Sequence, residues 1–233
     1  EVGAFIYEPL VQAAAGMRMY SSEILDRLML EAKKKDVVCI ADEVFTGFGR
    51  TGKMFASDYL TQEPDIVAIS KGLTGGTMAL GVTSCSERIL APFRSSEIER
   101  TFFHGHSYTA NPIACAAGNA SFELLLQEDC QRQIGVIERK HKMFREKLVD
   151  RATVEEVRQI GTILAIELKT TEKSSYFNKI RKEILPYFLS KNILLRPLGN
   201  VIYIVPPYVI TTSELDQIYN CIEQFLLETG ART

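Results

Sequence analysis

Two short apolar runs, "VGAFIY" (2–7) and "VVCIA" (37–41), stand either side of one amphipathic segment, "SSEILDRLMLEAKKKD". That order constrains the fold more than any other feature. An apolar run without polar alternation fits a strand buried on both faces, and two such strands joined by a helix imply a parallel sheet. In the joining segment Ile24, Leu25, Leu28 and Ala32 recur at helical spacing, Ser21 or Ser22 stands at the N-cap, and lysines crowd the C-terminal end, where the helix dipole favours them. Further strands are expected at 66–70 and 81–85, so the first hundred or so residues read as α/β.

From Asn111 the pattern changes. Asn-Pro is a good N-cap and N1 pair, and opens a small-residue helix. A second, highly charged helix follows, with its apolar stripe at Ile134, Ile137, His141, Phe144 and Leu148. Strands are expected at 153–157 and 162–168, and a helix around 176–189. A hairpin is expected over "ILLRPLGNVIYIVPP", turning at Leu198-Gly199-Asn200, and a last helix over "TSELDQIYNCIEQFLLET". This mixture predicts a smaller α+β unit over 127–233, following a larger unit over 1–126.

The formal net charge of −2 argues against a general nucleic-acid binder or a clamp for anionic membranes, because both need a concentrated basic face. No apolar run approaches the length of a membrane span. The five scattered cysteines contain no C-x-x-C pair, which fits a reducing, cytoplasmic setting without a zinc site. The chain opens directly on an apolar run with no initiator Met, as a piece of a longer protein would.

Two strand ends carry the chemistry. In "CIADEVFTGFGRTG" an apolar strand runs into Asp42 and Glu43 and then a glycine-rich turn. Open α/β sheets bind ligands at their carboxyl edge, where Asp42 would stand. Lys71 ends the next strand, in "PDIVAISKGLTGG", and if the two strands are neighbours both groups project into one crevice. A desolvated lysine there suits an imine-forming nucleophile, and an aspartate suits a pyridinium partner. Those are the two protein groups that pyridoxal phosphate chemistry requires. Taken singly, each has a plain alternative: a loop acid for Asp42 and a surface charge for Lys71.

"EPLVQAAAGMRMY", "IADEVFTGFGRTG", "AISKGLTGG", "FFHGHSYTANPIACAAG" and "LLRPLGNVIYIVPPY" together resemble the class III, fold-type I aminotransferases over almost the whole chain. Within that family "GMRMY" and the "RPLGNVIYIVPPY" stretch resemble the biotin-synthesis branch. The resemblance implies the C-terminal part of a large pyridoxal-phosphate-binding domain followed by a small C-terminal domain. It implies a homodimer with the active site at the subunit interface, and no nucleic-acid or membrane partner. By the same resemblance Lys71 forms the Schiff base with the cofactor and Asp42 faces the pyridine nitrogen. Ser107 would bind cofactor phosphate across the dimer interface, and Gln12 would lie near the ring. Arg196 would bind a substrate carboxylate, with Arg50 as a second arginine of the site. The small-molecule substrates would be 8-amino-7-oxononanoate and, as amino donor, S-adenosylmethionine.

The sequence departs from the family where His106-Ser107 replaces a frequent Pro-Thr, which keeps the hydroxyl and changes its loop. The family's glycine/serine phosphate loop and ring-stacking aromatic are not found in these residues, so the isolated chain is expected to bind cofactor weakly. Plain alternatives stand beside the assigned roles. Arg50 could pair with Glu43, Arg196 could be a sheet-edge charge, His104 and His106 suit packing or loop hydrogen bonds better than a metal, and Met17 and Met19 suit pocket lining or core. Another amino donor, a lysine or ω-amine, is the second enzymatic reading; a non-catalytic scaffold or dimerisation fragment is the third.

Overall fold

The structure is a computed structural model that describes residues 2–171, 174–175 and 177–230. It divides into two compact units. One takes in the chain up to Leu10, Tyr20–Phe48 and Lys53–Gln127; the other takes in Val11–Met19, Gly49–Gly52 and the chain from Glu128. Two short segments from the first fifty-two residues therefore belong with the second unit.

In the first unit, strands β1 (Ala4–Tyr7), β4 (Val38–Asp42), β5 (Ile66–Ile69) and β6 (Val82–Cys85) form one sheet in that order; β2 (Val11–Gln12) and β3 (Arg18–Met19) belong to the second unit. β1–β4 and β4–β5 are parallel, as the apolar runs require, while β6 is an antiparallel edge. Helix α1 (Ser22–Lys33) makes the crossover between β1 and β4, and the Ser21 hydroxyl caps it by accepting the Ile24 N–H. Its buried face is Leu25 and Met29 with half-buried Ala32, packed against Tyr7, Cys39 and Ala41. Ile24 and Leu28, expected on that face, are more than half exposed. Two apolar stripes overlap on this helix, and the sheet takes the one centred on Met29. The opposite sheet face is open at Ile6, so the expected cover on both faces is not seen in this structure. After a short α2 (Glu87–Leu90), Asn111 caps α3 (Pro112–Leu126) by accepting the N–H groups of Ile113 and Ala114.

The second unit is built on an antiparallel sheet of β7 (Val154–Ile160), β8 (Ile163–Leu168) and β9 (Val201–Ile204). Against it pack α4 (Glu128–Leu148), α5 (Arg181–Ser190) and α6 (Thr212–Gly230). All five stripe residues of α4 are buried. The expected helix around 176–189 begins at Arg181, and Tyr176 lies outside the described residues. The 198–200 turn forms, closed by reciprocal hydrogen bonds between Leu198 and Val201, but the residues before it build no strand. Pro197 has no N–H for a ladder, and β9 pairs with β8 instead. A two-residue ribbon, β2 (Val11–Gln12) with β3 (Arg18–Met19), completes the unit.

His141 is fully buried. Its Nδ1 lies 2.7 Å from the Tyr219 hydroxyl and its Nε2 lies 3.1 Å from the Thr162 carbonyl. Burial lowers its pKa from 6.5 to about 4, against the opposing pull of the Thr162 carbonyl. The unfolded chain therefore takes up a proton that the folded chain refuses. Stability is complete above pH 6.5 and is lost as pH falls towards 4, by about 1 kcal/mol at pH 5.5 and about 3 kcal/mol at the low end. Urea unfolding at pH 7.5 and 5.5 checks this: His141→Gln should flatten the difference, and an equal pH slope in both proteins would contradict it.

Candidate active site

Asp42 closes β4 and Lys71 follows directly on Ser70 after β5. The two strands are parallel neighbours in register, Asp42 beside Ala68, so both residues stand at the same carboxyl edge. One strand spacing, about 4.8 Å, and three residues, roughly 10 Å, separate their backbones. Asp42 is half-buried, and its Oδ1 accepts the Val44 N–H at 3.1 Å, which fixes the carboxylate at the strand end and leaves Oδ2 over.

Lys71 has φ of 40°, a left-handed conformation that costs a non-glycine residue about 1–2 kcal/mol. The turn around it explains why the chain holds that geometry. The Ser70 hydroxyl donates to the Leu80 carbonyl at 2.7 Å, and the Gly75 and Gly76 N–H groups point back to the Lys71 carbonyl. Next to it, a Cβ on Gly72 would stand 2.8 Å from Phe48 Cβ, so only glycine allows the turn to pack on Phe48. The Lys71 side chain is exposed, not desolvated as expected. Its ammonium lies 5.5 Å from the centre of the Phe45 ring and has no ion-pair partner among the described residues.

Glu43 does a different job from its neighbour. It is fully buried and accepts hydrogen bonds from the Thr46 hydroxyl (2.5 Å), the Ala56 N–H (3.1 Å) and the Ser57 N–H (2.7 Å). Three donors satisfy a carboxylate without a cation, and here they tie the glycine-rich loop to the turn over Ala56–Tyr59. Pairing between Arg50 and Glu43 is thereby corrected: neither has the other as a partner.

In the second unit Arg50 donates from Nη1 to the Pro206 carbonyl at 2.6 Å, and its guanidinium carbon sits 4.5 Å from the Tyr208 ring centre. The Thr162 N–H (2.9 Å) and hydroxyl (3.2 Å) both donate to the Arg50 carbonyl. Burial pushes the Tyr208 phenol up in pKa, partly offset by the Arg50 charge. Arg196, on the segment before the 198–200 turn, is exposed and without an ion pair among the described residues. Arg158 is the contrast. Buried in β7, it binds Glu156 and Glu167 from Nη1 and the carbonyls of Met17 (Nε, 3.1 Å) and Gly16 (Nη2, 2.9 Å). Burial pushes the Glu167 carboxyl up, but the Ser174 hydroxyl and Arg158 outweigh that and hold it below the ordinary range. Arg158 therefore has four of its five donors engaged and holds the β2–β3 ribbon, whereas Arg50 and Arg196 have no ion-pair partner among the described residues. Gln12 is exposed on β2, opposite Arg18.

Ser107 lies in an exposed turn of the first unit and makes no hydrogen bond or ion pair with Asp42 or Lys71. The turn is held by its neighbours: His106 Nδ1 accepts the Tyr108 N–H at 3.1 Å, and the His106 N–H donates to Thr109 Oγ1 at 2.9 Å. His104 lies against the Phe102 ring. Loop hydrogen bonding and packing are thus what these histidines do, and no metal-holding group of three or more His, Cys, Asp or Glu occurs among the described residues. Met17 is buried under Arg158 and Met19 is half-buried. No helix among the described residues is long and apolar enough to cross a membrane. Sequence reasoning passed over Arg158, Thr162 and Tyr208. Only Tyr208 lay in a quoted motif, and none carries a local signal of its partner.

The model of the class-III aminotransferases matches residues 1–226. The chain belongs to that family. Among relatives of this class-III aminotransferase chain, the adenosylmethionine-8-amino-7-oxononanoate aminotransferase of Synechococcus elongatus is 42% identical over 98% of the chain. The protein of the same name from Helicobacter pylori is 36% identical over 92%. The chain spans about half the length of such relatives, 53% and 50% respectively. Among solved structures, the Methanocaldococcus jannaschii enzyme of that name has a TM-score of 0.85 at 34% identity, over 94% of this chain and 53% of its own. A thermostable (S)-enantioselective omega-transaminase from Thermomicrobium roseum reaches 0.88 at 30% identity, over 97% of this chain and 51% of its own. The α/β fold with its mostly parallel sheet is the fold of these solved structures.

Proposed function

We propose that this chain forms the C-terminal portion of a pyridoxal-phosphate aminotransferase that transfers an amino group from S-adenosylmethionine to 8-amino-7-oxononanoate, giving 7,8-diaminononanoate. The observation that carries the reading is the placement of Asp42 and Lys71 at one carboxyl edge of adjacent parallel strands, the lysine without a competing carboxylate. A free amine and a carboxylate with one oxygen left over match the donor set for an aldehyde-bearing pyridinium ring. Pyridoxal phosphate, when bound, supplies the electron-accepting ring and stores the amino group between the two half-reactions. Lys71 would bond to the cofactor aldehyde and, once displaced there by the substrate amine, carry the proton between the amine-bearing substrate carbon and the former aldehyde carbon of the cofactor. Asp42 would hold the ring nitrogen in its protonated form. Ser107 would contact the phosphate, Gln12 the ring, and Arg196 and Arg50 the substrate carboxylates, for which a planar guanidinium is well shaped.

The first unit then corresponds to the C-terminal part of the cofactor-binding domain and the second to the small C-terminal domain. A cytoplasmic homodimer fits the family, and the exposed Ile6, Phe102, Phe103 and Ile113 of the first unit give a partner surface apolar ground. A second reading keeps the cofactor and takes an ω-amine donor, because an omega-transaminase structure overlays the chain as well as the biotin-pathway one does. Assay of the full-length protein decides. Formation of the diamine from S-adenosylmethionine and the amino-oxo acid is expected; activity with ω-amines and none with the amino-oxo acid would overturn the proposal in favour of the second reading.

A further inference from the structure

Arg50 is bound at both ends by the same small set of residues. The Thr162 N–H and hydroxyl hold its carbonyl, and the Pro206 carbonyl holds Nη1. Tyr208 joins the two ends. Its ring lies against the guanidinium at 4.5 Å, and its hydroxyl shares a hydrogen bond with the Thr162 side chain. Thr162 is in turn anchored through its own carbonyl to buried His141, and His141 to the Tyr219 hydroxyl. The backbone is equally confined. A Cβ on Gly161 would stand 2.6 Å from the Arg50 carbonyl oxygen, and one on Gly49 would stand 3.2 Å from the Tyr208 hydroxyl.

No carboxylate lies within ion-pair distance of Arg50 among the described residues. A guanidinium has five N–H donors, and the Pro206 carbonyl takes one. A ring on one face and a carbonyl on one nitrogen immobilise the fork, yet leave charge and donors unspent. This differs from Arg158, four of whose five donors go to two carboxylates and two carbonyls.

We infer that Tyr208 is a positioning residue for Arg50: its ring fixes the orientation in which that guanidinium offers its free donors to a substrate carboxylate. The choice of ligand rests on the function proposed above; the fixing of Arg50 does not. Holding the fork in one rotamer removes ordering entropy that binding would otherwise cost. The ring contributes through the cation–π attraction, which strengthens as the pair is desolvated.

The test uses the full-length protein and two readouts. Side-chain nitrogen relaxation of Arg50 should show an ordered guanidinium in the wild type and in Tyr208→Phe, which keeps the ring, and a mobile one in Tyr208→Leu. Kinetically, Tyr208→Leu should raise KM for at least one carboxylate-bearing substrate roughly fivefold to thirtyfold, a larger change than any fall in kcat. In an Arg50→Gln background the same substitution should change KM little, because its route of action is gone. A mobile Arg50 in the wild type overturns the inference without any variant, as does an equally ordered Arg50 in Tyr208→Leu. Equal KM effects with and without Arg50 overturn it too. An Arg50 that loses order in Tyr208→Leu, in a protein whose wild type transfers no amino group, would uphold the positioning role and reject the proposed function.

Discussion

Lys71→Ala is expected to abolish amino transfer in the full-length protein while leaving its stability nearly unchanged. Under the proposed function two roles leave with one side chain: the bond to the cofactor aldehyde and the transfer of the proton. Proton transfer by a positioned group is worth about 10²–10⁴-fold on its own, so kcat should fall by at least about 10³-fold once covalent attachment is lost as well. The visible absorption of lysine-bound cofactor should disappear in the same variant. Folding should be indifferent, because the Lys71 side chain is exposed and has no ion pair to lose. A change within about 0.5 kcal/mol is expected, as for ordinary surface substitutions. Residual kcat within tenfold of wild type would remove Lys71 from the chemistry.

Gly161→Ala should have the largest effect on stability. Gly161 has φ of 50°, and a Cβ there would stand 2.2 Å from the Thr51 carbonyl carbon, 2.4 Å from the Gly52 nitrogen and 2.6 Å from the Arg50 carbonyl oxygen. All three are backbone atoms, so no side chain can rotate away. Carbon atoms in contact rest at about 3.5–4.0 Å, and the 50–52 segment must therefore shift by more than an ångström. That shift breaks the paired hydrogen bonds from Thr162 to Arg50, on top of the cost of an alanine at positive φ. A loss of about 3–5 kcal/mol is expected, in the range where only backbone clashes, cavities and buried charges act. Gly3→Ala, where a Cβ would meet nothing within 4 Å, is the matched control and should move the urea midpoint little. Equal midpoints for the two variants would contradict the packing of the β7–β8 turn on this segment.

The features that could be read from the sequence are those set by short-range periodicity. The α4 stripe from Ile134 to Leu148 follows from 3.6-residue spacing with charges on every other face, and all five residues are buried. The position of Asp42 and Lys71 at one sheet edge could be read because strand ends are marked by the switch from apolar runs to glycine and charge, and the parallel pairing of β4 with β5 aligns those ends. Where two local patterns competed, tertiary packing chose. Met29 displaced Ile24 and Leu28 from the buried face of α1, and the missing N–H of Pro197 left β9 to pair with β8. The surroundings of Arg50 had no local trace. Its partners Thr162 and Pro206 lie 112 and 156 residues away in the chain, and no spacing rule links residues so far apart. The alternative that Glu43 pairs with Arg50 fails for a similar reason, since the backbone donors of Ala56 and Ser57 take the place of a cation.

The most direct measurement is a crystal structure of the full-length protein grown with pyridoxal phosphate. Continuous density from Lys71 Nζ into the cofactor is expected, with an Asp42 carboxylate oxygen within hydrogen-bonding distance of the ring nitrogen. Cofactor bonded to a different lysine, or a ring nitrogen facing any group other than Asp42, would contradict it.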